Sequence, residues 1–442
     1  MSWEKIELGS VIKHRKEFII IDNSIVYNRC RVQVNRKGIV LRDSIKGFLI
    51  NTKKQQICKE GDFLVAEIDA KVGGYGFVPK ELNGAIVSSH YFLFDVDETR
   101  MLKQYLGWLI KTDIIQDQIT SKGSTNYAAI RPSHVLKFEV PLPSIKEQMK
   151  IVERLNRFSK QYSLIGIELG QQQNHIQELR QVILREVMQG KISQNNENEN
   201  ADTLLELVYE QKRKLTEAGK LKKGKELRPI SENQISFKLP IGWIWCRLND
   251  IADVGTGGTP LTSKKEYYNG NIPWITSSAT GSLFVSEAEK FITIKALKET
   301  NCKVFPIGTL IVAMYGQGKT RGQITELLIE AATNQACASI DLIIKNNAHK
   351  EYIKYFFQKI YLEIRELAAG GAQPNLNLQK IKETLIPLPP LSEQKRIVDM
   401  LSLFFQTLNK LDQQVTKSIL QTQQLLHTVL LESFSEKNHK PS

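Results

Sequence analysis

Two glycine-containing stretches of this sequence have the residue types that bind phosphate groups. AMYGQGKT ends like a P-loop, but Ala313 stands where that loop needs its first glycine so that backbone amides can surround a phosphate. GTGGTP, at 255–260, lacks the Gly-x-Gly-x-x-Gly spacing of a dinucleotide-binding loop, and we interpret it as a turn. Neither stretch predicts a nucleotide site.

A third stretch and the scattered histidines and cysteines also fail to predict catalysis. NIPW, at 271–274, resembles the Asn-Pro-Pro-aromatic motif of DNA amino-methyltransferases, but Ile272 interrupts it and no S-adenosylmethionine loop accompanies it. None of the seven histidines forms a His-x-x-x-His pair, which argues against a metal site. The five cysteines are odd in number and form no Cys-x-x-Cys, which argues against a disulfide framework or a zinc site. We therefore expect recognition surfaces, with no catalytic residues and no metal ligands.

The composition indicates a polyanionic partner. Lys and Arg number 60 against 47 Asp and Glu, which gives a net charge of +13. Such a protein most often binds nucleic acid or an anionic surface, although a lysine-rich codon bias would produce the same charge. We find no signal-peptide pattern and no run of about 18 apolar residues that would span a membrane. Together with the cysteine usage, this predicts a cytoplasmic protein.

A sequence motif that occurs twice, which we call the cassette, predicts the helices that would position a recognition surface. PLPSIKEQMKIVERL begins at Pro141 and PLPPLSEQKRIVDML begins at Pro387, 246 residues later. In the first copy, Ser144-x-x-Glu147 is a capping-box pattern directly after a proline, which predicts the start of a helix.

Both cassettes lead into long helices with apolar residues at alternating steps of four and three. This pattern is an a/d heptad seam, and such a narrow stripe needs a partner helix of matching length. We expect the two helices to pack on each other, the alternative being two separate coiled-coil segments that bind other proteins. The predicted seam consists of Ile151, Leu155, Phe158, Ile165, Leu169, Leu179, Ile397, Leu401, Phe404, Leu408, Leu411 and Leu425.

The segments before the cassettes mix strand-like runs with one helical stretch each. GFLINT, GDFLVAEID, GTLIVAMYG and ASIDLIIK are strand-like, and residues 99–112 and 348–367 are helical in pattern. The two segments are faint relatives, so the chain is interpreted as a globular domain followed by a helix, twice. Between the halves, residues 212–228 are strongly basic and predict either a strip near DNA phosphate or a solvated linker.

The doubled PLP-x-x-x-EQ-x-x-IV cassette before a long helix resembles the specificity subunit of type I restriction–modification systems. KLPIGWIWCRLNDIADVGTGGTP at 238–260, AMYGQGKTRGQ at 313–323 and AGGAQPNLN at 369–377 resemble further segments of that family. The resemblance covers essentially the whole chain, and the doubled cassette is its most specific part.

The resemblance implies an α+β fold class. Two globular mixed α/β target-recognition domains would be separated by two long antiparallel coiled-coil helices in a pseudo-twofold internal repeat. We divide the chain into the first recognition domain at 1–140, the first long helix at 141–192, a linker with a short basic helix at 193–240, the second recognition domain at 241–386, the second long helix at 387–437 and a tail at 438–442.

The resemblance also implies a function and partners. Each recognition domain would read one half of a bipartite, asymmetric sequence in double-stranded DNA, and the helix pair would set the spacer. Two modification subunits using S-adenosylmethionine to methylate adenine, and two restriction subunits using ATP and Mg, would bind this chain, which holds no cofactor itself. The alternatives are a single-chain DNA methyltransferase or restriction enzyme, and a coiled-coil scaffold without a DNA role.

Candidate DNA contacts follow from residue type and from placement in the matching loops. Arg bonds guanine and Gln or Asn bonds adenine in a bidentate manner, whereas Lys53 and Lys54 are better suited to phosphate. The alternative for each is an ordinary polar surface residue. The candidates are Lys53, Lys54, Lys71, Tyr75, Asn126 and Tyr127 in the first domain, and Gln317, Lys319, Arg321, Gln373 and Asn375 in the second.

Overall fold

The computed structural model describes residues 3–120, 129–192, 199–222, 229–316, 320–369 and 376–434. The chain forms two compact units, one made of residues 1–172 and 414–442 and the other of residues 173–413. Both units combine β-sheets with helices, so the fold is a mixed α/β one.

Among the described residues of the first unit, eleven strands and three short α-helices precede the first long helix. The strands are β1 Lys5–Glu7, β2 Ile12–Arg15, β3 Phe18–Ile20, β4 Val26–Gln33, β5 Gly38–Lys46, β6 Lys54–Ile57, β7 Phe63–Ala66, β8 Tyr75–Phe77, β9 Ile86–Val87, β10 Tyr91–Val96 and β11 Glu139–Pro141. The short helices are α1 Lys103–Leu109, α2 Asp113–Thr120 and α3 Pro132–Leu136. The long helix α4, Ile145–Met188, begins in this unit, and its residues from 173 onward belong to the second.

In the second unit, α5 Asp202–Glu217 comes before the strands. The strands are β12 Ile244–Arg247, β13 Ala252–Thr256, β14 Tyr268–Ile275, β15 Phe284–Val285, β16 Phe291–Ile292, β17 Val304–Phe305, β18 Leu310–Ala313, β19 Ile324–Leu327, β20 Ala331–Thr333, β21 Cys337–Leu342 and β22 Leu385–Leu388. Its other helices are α6 Leu248–Ile251, α7 Ile294–Glu299, α8 Asn347–Ala369 and α9 Leu378–Lys382. The long helix α10, Leu391–Ser433, begins in this unit, and its residues from 414 onward belong to the first.

One of the two larger sheets of the first unit packs on an aromatic core. One sheet has the strand order β2-β10-β7-β8 and another the order β3-β6-β9-β4-β5. Strand β7 is buried at all four positions, as its uninterrupted apolar sequence predicts. Its Phe63 packs with Phe94 and with Tyr105 of α1, and the same core contains Leu155 of α4 and Leu430 of α10.

The second unit has the sheet orders β13-β21-β18-β19-β15 and β16-β14-β20-β17. Its main core joins Leu310 and Ile340 of the five-stranded sheet to Tyr352 of α8 and Leu401 of α10. Helix α5 belongs to this core because Leu204 and Val208, one turn apart, are buried in it, so residues 202–217 are an integral helix of the unit.

Each cassette begins as a β-strand that closes the segment before it. Strand β1 pairs antiparallel with β11, with Lys5 opposite Pro141. Strand β12 pairs antiparallel with β22 in the same way, with Trp245 opposite Pro387. The first and last strands of each segment are therefore hydrogen-bonded immediately before the long helix begins.

The two long helices begin where the cassettes predict, and they span 44 and 43 residues. The capping box of the first is present: the Ser144 amide and hydroxyl donate to Glu147 Oε2 at 3.0 and 2.8 Å, and the Glu147 amide donates to Ser144 Oγ at 3.4 Å. At the second helix, Glu393 instead accepts a 2.6 Å hydrogen bond from Arg396 Nε.

Pairing of the two helices through the predicted seam stays a prediction, and burial agrees with it at part of the residues. Ile151, Leu155, Leu169, Ile397, Leu401 and Leu408 are buried, and Phe158 is half-buried. The prediction is wrong for five residues that are 41–50% exposed, namely Ile165, Leu179, Phe404, Leu411 and Leu425.

The exposed positions alternate with buried ones from the start of the helix, since Phe404 lies between the buried Leu401 and Leu408. The buried stripe of each long helix is therefore narrower than the predicted a/d pattern. Phe405 and Leu426 take the inner positions next to Phe404 and Leu425, and both pack against the cores of their units.

One strand prediction is also wrong. GFLINT begins with a turn at Gly47–Leu49 instead of a strand. The Gly47 amide donates to the Ile25 carbonyl at 2.8 Å and the Phe48 amide to the Asn23 carbonyl at 3.2 Å, so the backbone folds back on the preceding loop. The other strand-like runs contain β7, β18 and β21, and the helical stretches contain α1 and α8. Within the part of the chain that the structure describes, no helix is both long and apolar enough to cross a membrane.

Candidate nucleic-acid interface

A concave, basic cavity of about 620 Å³ lies within the first unit. It is formed where the β4–β5 hairpin, the loop before β8 and the end of α1 meet the two long helices. Three cationic residues line it together with aromatic and hydroxyl side chains: Arg36, Lys71, Lys111, Trp108, Tyr162, Ser159 and Ser163.

The hairpin tip at the cavity has a left-handed backbone held by the neighbouring loop. Asn35 and Arg36 have φ values of 56° and 59°. The Asn35 amide donates to the Val72 carbonyl at 2.6 Å and the Arg36 amide to the Gly73 carbonyl at 2.9 Å. Gly73 has a φ of 75°, and a Cβ there would lie 2.9 Å from the Arg36 nitrogen. Only glycine permits this close approach without strain.

The cationic side chains of the cavity are oriented by specific partners. The Arg36 guanidinium donates to the Lys111 carbonyl at 2.9 Å and to Asp113 Oδ1 at 2.5 Å. The Lys111 ammonium lies 4.2 Å from the centroid of the Trp108 ring, and Trp108 Nε1 donates to Asn156 Oδ1 of α4 at 3.0 Å. A basic surface beside a half-buried aromatic ring that lines the cavity suits phosphate and base contacts.

Lys71 lines this cavity, whereas Tyr75 does not face solvent. The Tyr75 side chain is 1% exposed and its hydroxyl donates to Gln116 Oε1 at 3.2 Å. Burial raises the pKa of Tyr75 to about 12. Gln116 Nε2 in turn donates to the Lys71 carbonyl. The expectation that Tyr75 contacts DNA is therefore wrong, because its side chain is in the core and holds the loop that carries Lys71.

Lys53 and Lys54 lie at the start of β6. The Lys53 ammonium donates to Asn23 Oδ1 and to the Gly47 carbonyl, each at 2.7 Å, which fixes it over the turn. Lys54 is exposed, and its ammonium lies 4.7 Å from the centroid of the Phe18 ring. Phosphate contact by either lysine stays a prediction.

The corresponding loop of the second unit connects β18 and β19. Arg321 lies in it and is half-buried. Six of the predicted contact residues lie outside the described residues, namely Asn126, Tyr127, Gln317, Lys319, Gln373 and Asn375.

A buried charge cluster fixes α8 against the sheet beside this loop. Lys350 and Lys354 of α8 both contact Glu326 of β19, the second at 3.0 Å. Burial by itself would raise the pKa of Glu326, but the hydrogen bonds from the two lysines outweigh burial and lower it. Lys354 is 2% exposed and its ammonium lies 3.7 Å from the Phe284 ring centroid, so these charges stabilise the domain.

The sequence reasoning missed Arg36, Trp108 and Lys111. The available signal was the sequence Asn-Arg-Lys-Gly between two strand-like runs, which is typical of a tight hairpin that presents basic side chains. Trp108 and Lys111 lie at the end of a helical stretch that the sequence analysis identified without assigning its face.

Two of the linker lysines have protein partners. The Lys212 ammonium donates to the Asn249 carbonyl, and burial lowers the pKa of Lys212. Lys214 pairs with Glu210 at 2.7 Å along the same helix. Among the described residues no cluster of His, Cys, Asp or Glu has the arrangement of a metal site.

The sequence matches one protein family over both of its halves. The family is described as the type I restriction modification DNA specificity domain, and it matches residues 1–173 and 240–421. These two ranges correspond to the two segments of strands and short helices, each with most of the long helix that follows it.

Several curated relatives are specificity subunits. The MjaIX specificity subunit of Methanocaldococcus jannaschii is 33% identical over 175 residues, which cover 38% of this chain and 39% of that protein. The EcoEI specificity subunit of Escherichia coli is 30% identical over 261 residues, 56% of this chain and 43% of that protein. The chain thus spans about two fifths of the length of these two relatives. The EcoDI specificity subunit of Escherichia coli is 23% identical, over 98% of this chain and 88% of its own.

Two solved structures share the fold. One is described as the structural basis of complex assembly and conformational transition of the type I R-M system; it has a TM-score of 0.72 and 19% identity, and covers 98% of both chains. The other is the HsdS subunit of Thermoanaerobacter tengcongensis, with a TM-score of 0.58 and 19% identity over 98% of this chain and 96% of that one.

Proposed function

Because the chain belongs to the type I restriction modification DNA specificity family, we propose that it is the subunit that recognises the DNA target of such a system. Residues 1–140 and 241–386 each read one half of a bipartite, asymmetric sequence in double-stranded DNA. The observation that carries this proposal is the family match to both halves of the chain, each half ending in its own long helix.

The two long helices form an antiparallel coiled-coil pair that acts as the ruler for the spacer. In the first unit, Arg154 Nη2 donates to Ser433 Oγ at 2.6 Å, so the beginning of α4 meets the end of α10. In the second unit, Arg180 Nη2 donates to Asn409 Oδ1 at 2.6 Å, so the later part of α4 meets the earlier part of α10. Within each unit the contact supports an antiparallel pair, and the pseudo-twofold internal repeat is part of the proposal.

The basic cavity of the first unit supports a DNA-binding surface there. Lys71 and Lys111 supply positive charge, and Trp108 supplies an aromatic face. Lys53 and Lys54 bind phosphate and position the domain, whereas the loop that contains Arg321 serves the second half-site. The spacing of half-sites then follows from the geometry of the protein.

The chain is non-catalytic and directs the chemistry of partners. Two modification subunits with S-adenosylmethionine methylate adenine, and two restriction subunits with ATP and Mg cleave. The outward faces of the helices are the docking surfaces, because large apolar side chains remain exposed there and exposed apolar surface marks interaction sites. These side chains are Leu164, Ile165, Ile167, Leu420 and Leu425 in the first unit, and Leu179, Leu403, Phe404 and Leu411 in the second.

The site of action is the cytoplasm, where bacterial DNA and the partner subunits are found. All five cysteines lie in described parts of the chain as buried free thiols, which suits a reducing compartment.

Methyl transfer tests the proposed function directly. The full chain is incubated with DNA and labelled S-adenosylmethionine, with and without its modification partner. We expect label in DNA only when the partner is present, at a single split motif found by mapping methylated adenines. Incorporation by the chain alone would instead establish a single-chain methyltransferase.

A salt titration separates DNA recognition from a scaffold role. For a protein that neutralises Z phosphates, log K falls with log salt concentration at a slope of about −0.9Z. We expect a steep negative slope for the complex, and a slope smaller in magnitude by about one for Lys71→Met. The matched control is Lys395→Met, since Lys395 pairs with Asp399 at 2.6 Å on α10. Binding without any salt dependence would favour the scaffold.

A further inference from the structure

A fully buried glutamine joins each long helix to the domain before it. Gln148 lies in the first turn of α4 and Gln394 in the first turn of α10, and both are 0% exposed. They occupy the same position of the repeated cassette, 246 residues apart. A buried side-chain amide has to satisfy its hydrogen bonds inside the protein, so its partners report what it holds in place.

At the first joint, the amide of Gln148 bonds to the segment that leads into α1. Its Oε1 accepts from the Leu102 amide at 2.8 Å, and its Nε2 donates to the Arg100 carbonyl at 2.9 Å. The same Nε2 donates to the Pro143 carbonyl of the cassette at 2.9 Å. One side chain thus connects the recognition domain, the closing turn and the long helix.

The second joint repeats this arrangement with one substitution. Gln394 Nε2 donates to the Pro389 carbonyl at 2.7 Å, as Gln148 does to Pro143. Gln394 Oε1 lies 2.8 Å from Nδ1 of His349. The imidazole therefore occupies the place that the Leu102 amide has beside Gln148 Oε1 in the first joint. His349 is in the first turn of α8 and is 0% exposed.

A buried tyrosine ties the same helix of each domain to the cassette strand. The Tyr105 hydroxyl of α1 donates to the Pro141 carbonyl at 2.9 Å. The Tyr352 hydroxyl of α8 donates to the Pro387 carbonyl. The two domains have diverged in their sheets, yet both keep a glutamine and a tyrosine on matching carbonyl groups.

We propose that Gln148 and Gln394 are positioning residues that fix the angle between each recognition domain and its long helix, and that this angle determines which spacer lengths the chain accepts. The inference rests on the proposed function. A buried polar group that loses its partners is strongly disfavoured, so bending that breaks these bonds is opposed.

The distance from the joint to the DNA-reading surface explains why a small change of angle matters for spacing. A domain of about 140 residues has a radius of gyration of roughly 14 Å, which places a DNA-reading surface on the order of 25 Å from the joint. A rotation of about 8° at the joint then moves that surface by about 3.5 Å. This displacement is about one base-pair step, since DNA rises about 3.4 Å per base pair.

The test replaces the amide by an apolar side chain of similar length. The full chain carrying Gln148→Met or Gln394→Met is co-expressed with its modification partner in cells without other adenine methylation, and methylated adenines are mapped. We expect both half-site sequences to be unchanged. Methylation at spacers one base pair longer or shorter should rise by on the order of tenfold relative to the original spacer. Gln171→Met, an exposed position on α4, is the control and should leave the spacer unchanged.

Each outcome decides the proposal. Active variants with the original spacer discrimination overturn it, even if their melting temperature falls, because that result leaves only a structural role. If Gln148→Met abolishes methylation, Tyr105→Phe decides, since it removes one hydroxyl and keeps the ring: relaxed spacing supports the proposal and unchanged spacing overturns it. If the unaltered chain yields no split motif, the proposed function itself has failed, and the positioning role fails with it.

Discussion

The imidazole of His349 is subject to two opposing effects. Burial lowers its pKa, and the hydrogen bond with Gln394 raises it by less, so the pKa in the folded protein lies below the ordinary value of 6.5. The folded state therefore favours the neutral ring. The unfolded chain binds a proton near pH 6.5, and the folded protein does so only at lower pH. This histidine thus contributes stability that is present above pH 6.5 and is lost as the pH falls through the folded pKa.

The corresponding prediction concerns acid sensitivity. Urea unfolding of the full chain, followed by circular dichroism, should show a falling free energy of unfolding between pH 7.5 and 5.5. His349→Gln should reduce that slope, because the titrating group is removed while an amide remains to bond Gln394. His427→Gln, at an exposed position, serves as the control. An unchanged slope in His349→Gln would show that His349 is not a source of the acid sensitivity.

A second prediction at this scale concerns the buried cluster of Glu326, Lys350 and Lys354. Lys354→Met leaves the carboxylate buried with one lysine partner, and removing one partner of a buried pair costs about 3 kcal/mol. Lys345→Met is the matched control, because its pair with Asp341 is exposed and such pairs contribute less than about 1 kcal/mol. The measurement is the free energy of unfolding by urea. Equal losses in the two variants would contradict a structural role for Lys354.

At the scale of the element, the long helices divide their apolar residues between two faces. The inner face packs on the cores of the units, and the outer face remains exposed. Phe405 and Phe404 are adjacent residues, about 100° apart around the helix, and they fall on either side of this division. Phe405 lies 5.6 Å from the Tyr355 ring and 5.7 Å from the Arg180 guanidinium, whereas Phe404 is 41% exposed.

This division predicts opposite results for two adjacent substitutions. Phe405→Ala should lower the free energy of unfolding by about 2 kcal/mol, less than for a fully buried phenylalanine because this one is half-buried. Phe404→Ala should change stability by less than about 0.5 kcal/mol but weaken assembly with the modification partner. Urea unfolding and a titration of complex formation measure the two effects. A stability loss for Phe404→Ala equal to that for Phe405→Ala would contradict the division.

The helices also show where reasoning from the sequence succeeds and where it stops. Local signals are decisive at Ser144 and Glu147, because a capping box depends only on residues three apart. The heptad assignment fails at Phe404 and Leu425, since an apolar pattern does not show which of its alternating positions the rest of the fold covers. Tyr75 was misassigned because an exposed loop and a buried strand start look alike when the partner, here Gln116, is far away in sequence.

At the scale of the whole molecule, two diverged domains precede two similar helices. We propose that the domains recognise the half-sites and that the helices set the spacer length. Exchanging residues 1–140 for those of another family member should then change one half-site and leave the other half-site and the spacer unchanged. Mapping methylated adenines in cells that carry the chimera and its modification partner measures all three. A changed spacer would contradict the division of labour between domains and helices.

The first unit is discontinuous in the chain, and this has a consequence for synthesis on the ribosome. Its core contains Leu430 and Phe434, with Phe434 5.4 Å from the Tyr105 ring. At roughly 5–20 residues per second, these residues emerge on the order of tens of seconds after residue 172. Part of the apolar surface of the amino-terminal domain therefore remains uncovered until the second domain has been translated. A premature stop codon shortly before residue 430 would damage the domain that was made first.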